Sequence, residues 1–235
     1  MSAGREGFPR EEEPFGVMRE LVLASASLRR KELLRALGLP FRVIPADVDE
    51  SVAVSQGAEQ AVQRLAERKA AAVRRQCSGQ DNDVVVLGAD TLIALDGHTI
   101  GKPPDARHAG LFLRRLRGKT HRVVTGIALV GDGIHLAGIV TTEVTMRDYS
   151  DREVAASIRR GTPFDKAGAY AIQDAEFAPV DTYSGCYCNV MGLPLWDVLR
   201  LLVQAGLRVV RHEPDQICPR CAACPRRASV RETRA

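Results

Sequence analysis

Arg19-Glu20-Leu21-Val22-Leu23-Ala24-Ser25-Ala26-Ser27-Leu28-Arg29-Arg30-Lys31-Glu32-Leu33-Leu34 reads as a short buried strand, a serine turn and a helix start. Leu33, Leu34 and Leu37 share one helical face, and Gly38 and Pro40 end the pattern. Ser25 or Ser27 can cap the helix, which leaves Arg29 and Arg30 in its first turn. Cations there oppose the helix dipole at roughly 0.3–1 kcal/mol each when exposed. Free N–H groups at a helix start, joined by two guanidinium groups, make an anion site. The plainer reading is a solvated basic helix end, and the segment alone leaves both open.

Outward from this unit, residues 41–45 predict a second strand, followed by the acidic loop Asp47-Val48-Asp49-Glu50-Ser51. Residues 58–76 predict a long helix with Val62, Leu65, Ala66, Ala70 and Val73 at helical spacing. Lys69 lies inside that stripe, as a snorkelling side chain or as an amine delivered into a cleft. Residues 83–87 form a near-continuous β-branched run, the pattern of a central strand covered on both faces. It ends in Gly88-Ala89-Asp90-Thr91, and a second strand over 92–95 turns at Asp96-Gly97 toward Gly101-Lys102-Pro103-Pro104. A helix over 105–117, a long hairpin of 122–130 and 134–146, and a short helix over 151–160 follow. A last strand over 187–190 and a closing helix over 194–204 complete the reading.

The chain has 235 residues, 45% of them hydrophobic, enough for one α/β domain or two lobes around a cleft. A net charge of +4 and 5% aromatic residues give no basic, aromatic-studded surface for nucleic acid. No stretch approaches the about 18 apolar residues of a membrane span. Residues 1–18, with Glu11-Glu12-Glu13, read as a disordered leader without a signal peptide's apolar core, so the expected location is cytoplasmic. Six cysteines are few for a disulfide scaffold of this size. Residues 211–235 read as a charged tail in which Cys218, Cys221 and Cys224 follow His212. A Cys₃His zinc site is chemically possible there, against a flexible tail that merely carries cysteines. Cys186 and Cys188 alternate along the expected last strand as packing residues.

Asp90 is expected just past the end of the most buried strand, where α/β sheets bind ligands and a carboxylate acts as general base or holds a metal. The bland role is a turn or helix cap. Arg29, Arg30, Lys69, Lys102 and Lys166 accompany it at element ends or on inward faces. Asp165-Lys166 alone would be a weak surface pair, yet the small residues after it permit close backbone approach. One acid with about five cations suits a phosphate ester. GxxxxGK[ST], GxGxxG, Gly-x-Ser-x-Gly and HExxH patterns are all lacking in the sequence.

With these pieces assembled, the chain resembles the Maf family of nucleoside triphosphate pyrophosphatases. The resemblance is carried in order by Leu23-Ala24-Ser25-Ala26-Ser27-Leu28-Arg29-Arg30, Leu87-Gly88-Ala89-Asp90-Thr91, Gly101-Lys102-Pro103 and Thr125-Gly126. It continues in Asp165-Lys166-Ala167-Gly168-Ala169-Tyr170-Ala171-Ile172-Gln173 and in Asn189-Val190-Met191-Gly192-Leu193-Pro194-Leu195. It implies an α/β fold with a mixed twisted sheet, flanking helices and two lobes around a deep cleft, in a domain spanning 19–210. It further implies a homodimer that splits a nucleoside triphosphate into monophosphate and pyrophosphate with a divalent cation, Mg²⁺ or Mn²⁺. By the same resemblance Asp90 activates water, while Ser25, Arg30, Lys69, Lys102 and Lys166 hold phosphates. Arg29, Thr91 and Gln173 match positions tied to substrate choice, and Glu50, with Asp90, is a metal partner. Asp90-Thr91 with Ile172-Gln173 resembles the dTTP/UTP branch, whereas the 7-methyl-GTP branch has glutamine after the aspartate. Alternatives are the same reaction on purine or modified nucleotides, and a nucleotide-binding cell-division regulator without turnover. Two departures stand out: Leu28 replaces the usual proline, and Asp174-Ala175-Glu176-Phe177-Ala178-Pro179-Val180 stands where the pyrimidine branch has a glycine-rich segment.

Overall fold

The structure, a computed structural model, describes residues 19–50, 57–77, 83–207 and Cys224. The leader, His212, Cys218 and Cys221 lie outside the described residues. Strand β1 (Glu20–Leu23) lies parallel to β2 (Arg42–Val43) on one side and to β3 (Val84–Leu95) on the other. From β3 outward the sheet is antiparallel, through β5 (Thr120–Gly131), β6 (Ile134–Met146) and β7 (Val180–Ser184). β4 (His98–Ile100) folds back on the far end of β3 across Asp96-Gly97, both at positive φ. The result is a mixed seven-stranded sheet.

Side-chain alternation along β1 and β3 divides the interior. Leu21, Leu23, Val85 and Leu87 face α1 (Leu28–Ala36) and α6 (Leu195–Gln204), with Trp196 buried among them. Val22, Ala24, Val84 and Val86 face the opposite way, onto Ala66, Ala70 and Val73 of α2 (Ala58–Cys77). A separate core gathers at the far end of β3. There Ile93, Leu95 and Val123 pack with Leu113 and Leu116 of α3 (Ala106–Leu116), Val154 of α4 (Asp151–Arg159) and Tyr149. α1 is capped by Ser27 and ends with Gly38 at φ 70°, as the turn residues dictate. α4 carries a full capping box between Ser150 and Glu153.

Three expectations need correction. Val84–Leu95 form one strand, so Asp90 sits inside β3 rather than past its end, and the 88–91 break does not exist. β5 pairs with β3 continuously from Val86 to Ala94 and carries the strand through the glycine. Tyr187–Val190 is the short helix α5, and the last strand is instead β7 over Val180–Ser184, on the edge of β6. Cys186 and Cys188 are nonetheless buried in the core, as is Cys224. The expected 41–45 strand shortens to Arg42–Val43.

The feature that places the site is a gap along one edge of β3. β1 pairs with it only as far as Leu87, and β4 begins only at Ile93. Between them no strand among the described residues pairs with this edge, and one core lies on either side. Successive side chains point to opposite faces of a sheet, so Asp90 and Thr91 can share a cleft only because this edge is open to both.

Candidate active site

The gap opens into a cleft of about 670 Å³ whose lining includes all ten residues singled out from the sequence: Ser25, Arg29, Arg30, Glu50, Lys69, Asp90, Thr91, Lys102, Lys166 and Gln173. On the α2 side, two glycines let the helix settle directly on the sheet. A Cβ at Gly88 would lie 2.1 Å from the carbonyl oxygen of Ala66, and one at Gly126 would lie 2.4 Å from that of Val62. Gly126 is the cross-strand partner of Asp90. The helix resting on this two-glycine saddle points Lys69 at the carboxylate. Lys69 Nζ lies 2.6 Å from Asp90 Oδ1 and 2.6 Å from Glu50 Oε1.

Lys69 is therefore an amine delivered into the cleft, not a snorkelling side chain. Its side chain is 8% exposed and that of Asp90 9%, whereas Glu50 remains 51% exposed. Burial works against a charge on Glu50. The hydrogen bond and charge of Lys69 outweigh it, with help from Lys102 and Arg30, and hold its pKa below the usual glutamate value. Lys102 stands exposed at the rim.

On the α1 side, Arg30 braces three segments. Its Nε donates to Gly192 O at 2.8 Å, Nη1 to Ala89 O at 2.9 Å and Ser25 Oγ at 3.3 Å, and Nη2 to Thr91 Oγ1 at 3.0 Å. A guanidinium has five N–H groups, so one remains for a ligand. Burial lowers the Arg30 pKa, with neighbouring Arg29 adding to the effect and Asp90 opposing it. The Ser25 hydroxyl accepts from both Arg30 and the Ser27 amide, which leaves its proton to donate.

The far wall comes from residues 165–173. Arg29 Nη1 pairs with Asp165 Oδ2 at 2.9 Å, and Asp165 also pairs with Lys166, whose Nζ donates to Thr162 O at 2.5 Å. Burial would raise the Asp165 pKa, yet Lys166 and then Arg29 bring it below normal. Gly168, at φ 70°, presses on Ile93, and its amide donates to Gly101 O at 3.0 Å. Buried Tyr170 also lines the cleft, its hydroxyl 2.7 Å from His121 Nε2. Gln173 is exposed at the rim.

Sequence reasoning missed the cross-cleft role of Asp165, the His121–Tyr170 pair and a buried chain behind Thr91 formed by Thr125 and Asn189. The Thr125-Gly126 and Asn189 motifs were the only signals for that chain. Among the described residues no cluster of three or more His, Cys, Asp or Glu could hold a metal alone. Two carboxylates converging on one cation are still a hard oxygen pair of the kind Mg²⁺ takes when substrate phosphates and water complete its shell.

A buried carboxylate flanked by cations in an open cleft can accept a proton from water beside a polyanion. Comparisons with known proteins agree with that chemistry. The family model described as Maf-like protein matches residues 20–205. A dTTP/UTP pyrophosphatase of Thermomicrobium roseum is 46% identical over 206 residues, covering 87% of this chain and 93% of that protein. Enzymes of the same name from Escherichia coli O157:H7 and Symbiobacterium thermophilum are 43% and 42% identical, covering 85% and 80% of this chain and 98% and 95% of their own lengths.

Proposed function

The chain belongs to the Maf-like protein family, and on that premise we propose that it hydrolyses nucleoside triphosphates to monophosphate and pyrophosphate, with dTTP and UTP as substrates. The observation that carries the reading is the buried Asp90–Lys69 contact at the floor of a cleft walled by cations. Asp90 takes a proton from a water molecule as its oxygen bonds to the α-phosphorus. The bond from that phosphorus to the bridging oxygen breaks, and pyrophosphate leaves with the electron pair. Lys69, Lys102, Lys166, the remaining N–H of Arg30 and the Ser25 hydroxyl neutralise the phosphate oxygens. Removing one such group costs a few kcal/mol of transition-state stabilisation, on the order of 2–4.

Glu50 and Asp90 would hold a divalent cation, Mg²⁺ or Mn²⁺. Bound there, the cation would supply further charge neutralisation on the phosphates. Arg29, Thr91 and Gln173 line the part of the cleft suited to the nucleoside, and the two neutral side chains fit the edge of a base. The same reading takes residues 19–210 as the catalytic unit of a cytoplasmic homodimer, which sedimentation of the purified protein and fractionation of cells test.

The test of the reaction is Asp90→Asn, assayed for pyrophosphate release from UTP and dTTP with Mg²⁺. The expected fall in kcat is about 10²–10⁴-fold, the range of general-base catalysis. Turnover near that of the unaltered protein would remove Asp90 from the role.

A further inference from the structure

Behind Thr91 lies a run of hydroxyls and carbonyls that the reaction itself does not use. Thr91 Oγ1 is 2.9 Å from Thr125 Oγ1 on the neighbouring strand, and Thr125 Oγ1 is 3.2 Å from the main-chain oxygen of Asn189. The Asn189 side chain donates to Val123 O at 3.0 Å and to Thr142 Oγ1 at 2.9 Å, and Thr142 in turn bonds Cys186 through both main-chain groups. Thr125 and Asn189 are 0% exposed, so no water reaches the bond between them, while Thr91 meets the cleft.

The direction of every proton follows from the ends of the run. Arg30 has only donors, so at 3.0 Å it takes one lone pair of Thr91. The Asn189 oxygen has only lone pairs, so the hydroxyl facing it must donate. Thr125 therefore points its single proton at Asn189 and accepts from Thr91. The reverse polarity would leave Thr125 as a buried acceptor with no donor, a cost of about 1–3 kcal/mol. Thr91 then retains one lone pair and no proton for the cleft.

We propose that Thr125 is a positioning residue for base selection. By fixing the Thr91 hydroxyl as a hydrogen-bond acceptor, it selects a base that presents an N–H donor at that point. Resting on the pyrimidine reading above, this assigns the contact to the imide N3–H of uracil or thymine. Cytosine carries a bare lone pair at N3 and meets Thr91 acceptor to acceptor. The two bases match in size, so shape does not separate them. A site built to bond one polar group rejects its inverted analogue because a buried partner is left unpaired.

The experiment compares kcat/KM for UTP, dTTP and CTP in the unaltered protein, Thr125→Val and Thr125→Ser. Valine keeps the shape of threonine but frees the Thr91 proton to turn into the cleft, where it can serve cytosine. The expected result is a UTP-to-CTP preference of at least about tenfold, falling about tenfold in Thr125→Val and restored by serine. An equal loss on all three nucleotides, or an unchanged ratio, would overturn the proposal, since a structural role predicts one or the other. Should the valine variant fail to fold, N3-methyl-UTP with the unaltered protein decides instead. Turnover equal to UTP overturns the proposal, and a loss of about tenfold or more supports it. If the unaltered protein hydrolyses neither UTP nor dTTP, the functional reading fails and takes this inference with it. If it hydrolyses UTP and the ratio does not move, only the role of Thr125 fails.

Discussion

Asp90 and Thr91 are consecutive on β3, and each meets a different helix. On the α2 side, Asp90 faces the Lys69 ammonium at 2.6 Å, with Glu50 on the same cation. On the α1 side, Thr91 faces a neutral relay of hydroxyls and amide groups, and the one charge that touches it, Arg30, is braced against main-chain oxygens. On the proposed reading, charge at the first position holds and activates, and fixed dipoles at the second discriminate. The stretch of β3 left unpaired by β1 and β4 is what lets both line one cleft.

The largest expected effect comes from removing charge on the α2 side. Lys69→Met keeps the packed stem and leaves Asp90 buried near Glu50 without the cation in contact with both, a loss of about 3–5 kcal/mol in urea unfolding at pH 7. Thr91→Val, on the neutral side, is expected to cost about 1 kcal/mol. Equal losses would erase the distinction between the faces.

Acid separates the two sides further. The neutral face continues to His121, whose pKa burial lowers from 6.5 to about 4. Between those values the unfolded chain binds a proton that the folded chain refuses, so stability falls as pH drops from 6.5, by up to about 3 kcal/mol below pH 4. Glu50, with its pKa held under 4.5, contributes stability that is present above 4.5 and lost only as pH falls through that lowered value. The neutral side is thus the first to weaken on acidification. Unfolding midpoints at pH 7 and pH 4.5 for the unaltered protein and His121→Phe check this, since the phenylalanine variant should lose the steeper part of the slope. A slope unchanged by His121→Phe would move the acid sensitivity to the charged side.

The smallest effect concerns Leu28, the first residue of α1, 69% exposed at the cleft mouth. Proline suits that position, and Ser27 before it already has φ −59° and ψ 120°, a conformation that a following proline accepts. Leu28→Pro is expected to raise stability by about 0.4–1 kcal/mol through the unfolded chain, measured by thermal unfolding. A loss would mean that the serine turn needs the leucine amide.

The strand–turn–helix at the start, α2, α3 and the β5–β6 hairpin were legible because apolar periodicity and turn residues agree there. The ten candidate residues were also legible, as motifs, and the cleft gathers all of them. Asp90 was misplaced because Gly88 interrupts an apolar run, and glycine in a strand reads as an ending until the helix that presses on it is known. β7 was missed because Val180-Asp181-Thr182-Tyr183-Ser184 has little apolar pattern and forms only by pairing with the edge of β6. Cys186 and Cys188 suggested a strand by alternation, yet Cys186 is the cap of α5 and Cys188 lies within it, both buried in the core. The bracing role of Arg30 was invisible, since three of its partners are brought near only by folding.

The saddle at Gly88 and Gly126 has a consequence for how this sequence can vary. Any single-base change in a glycine codon that alters the residue adds a side chain, and at both places the nearest obstacle is helix backbone rather than a side chain that can turn aside. Neither position offers a small first step, and no lone substitution elsewhere removes a main-chain carbonyl. Inheritance at these two codons is therefore all or nothing.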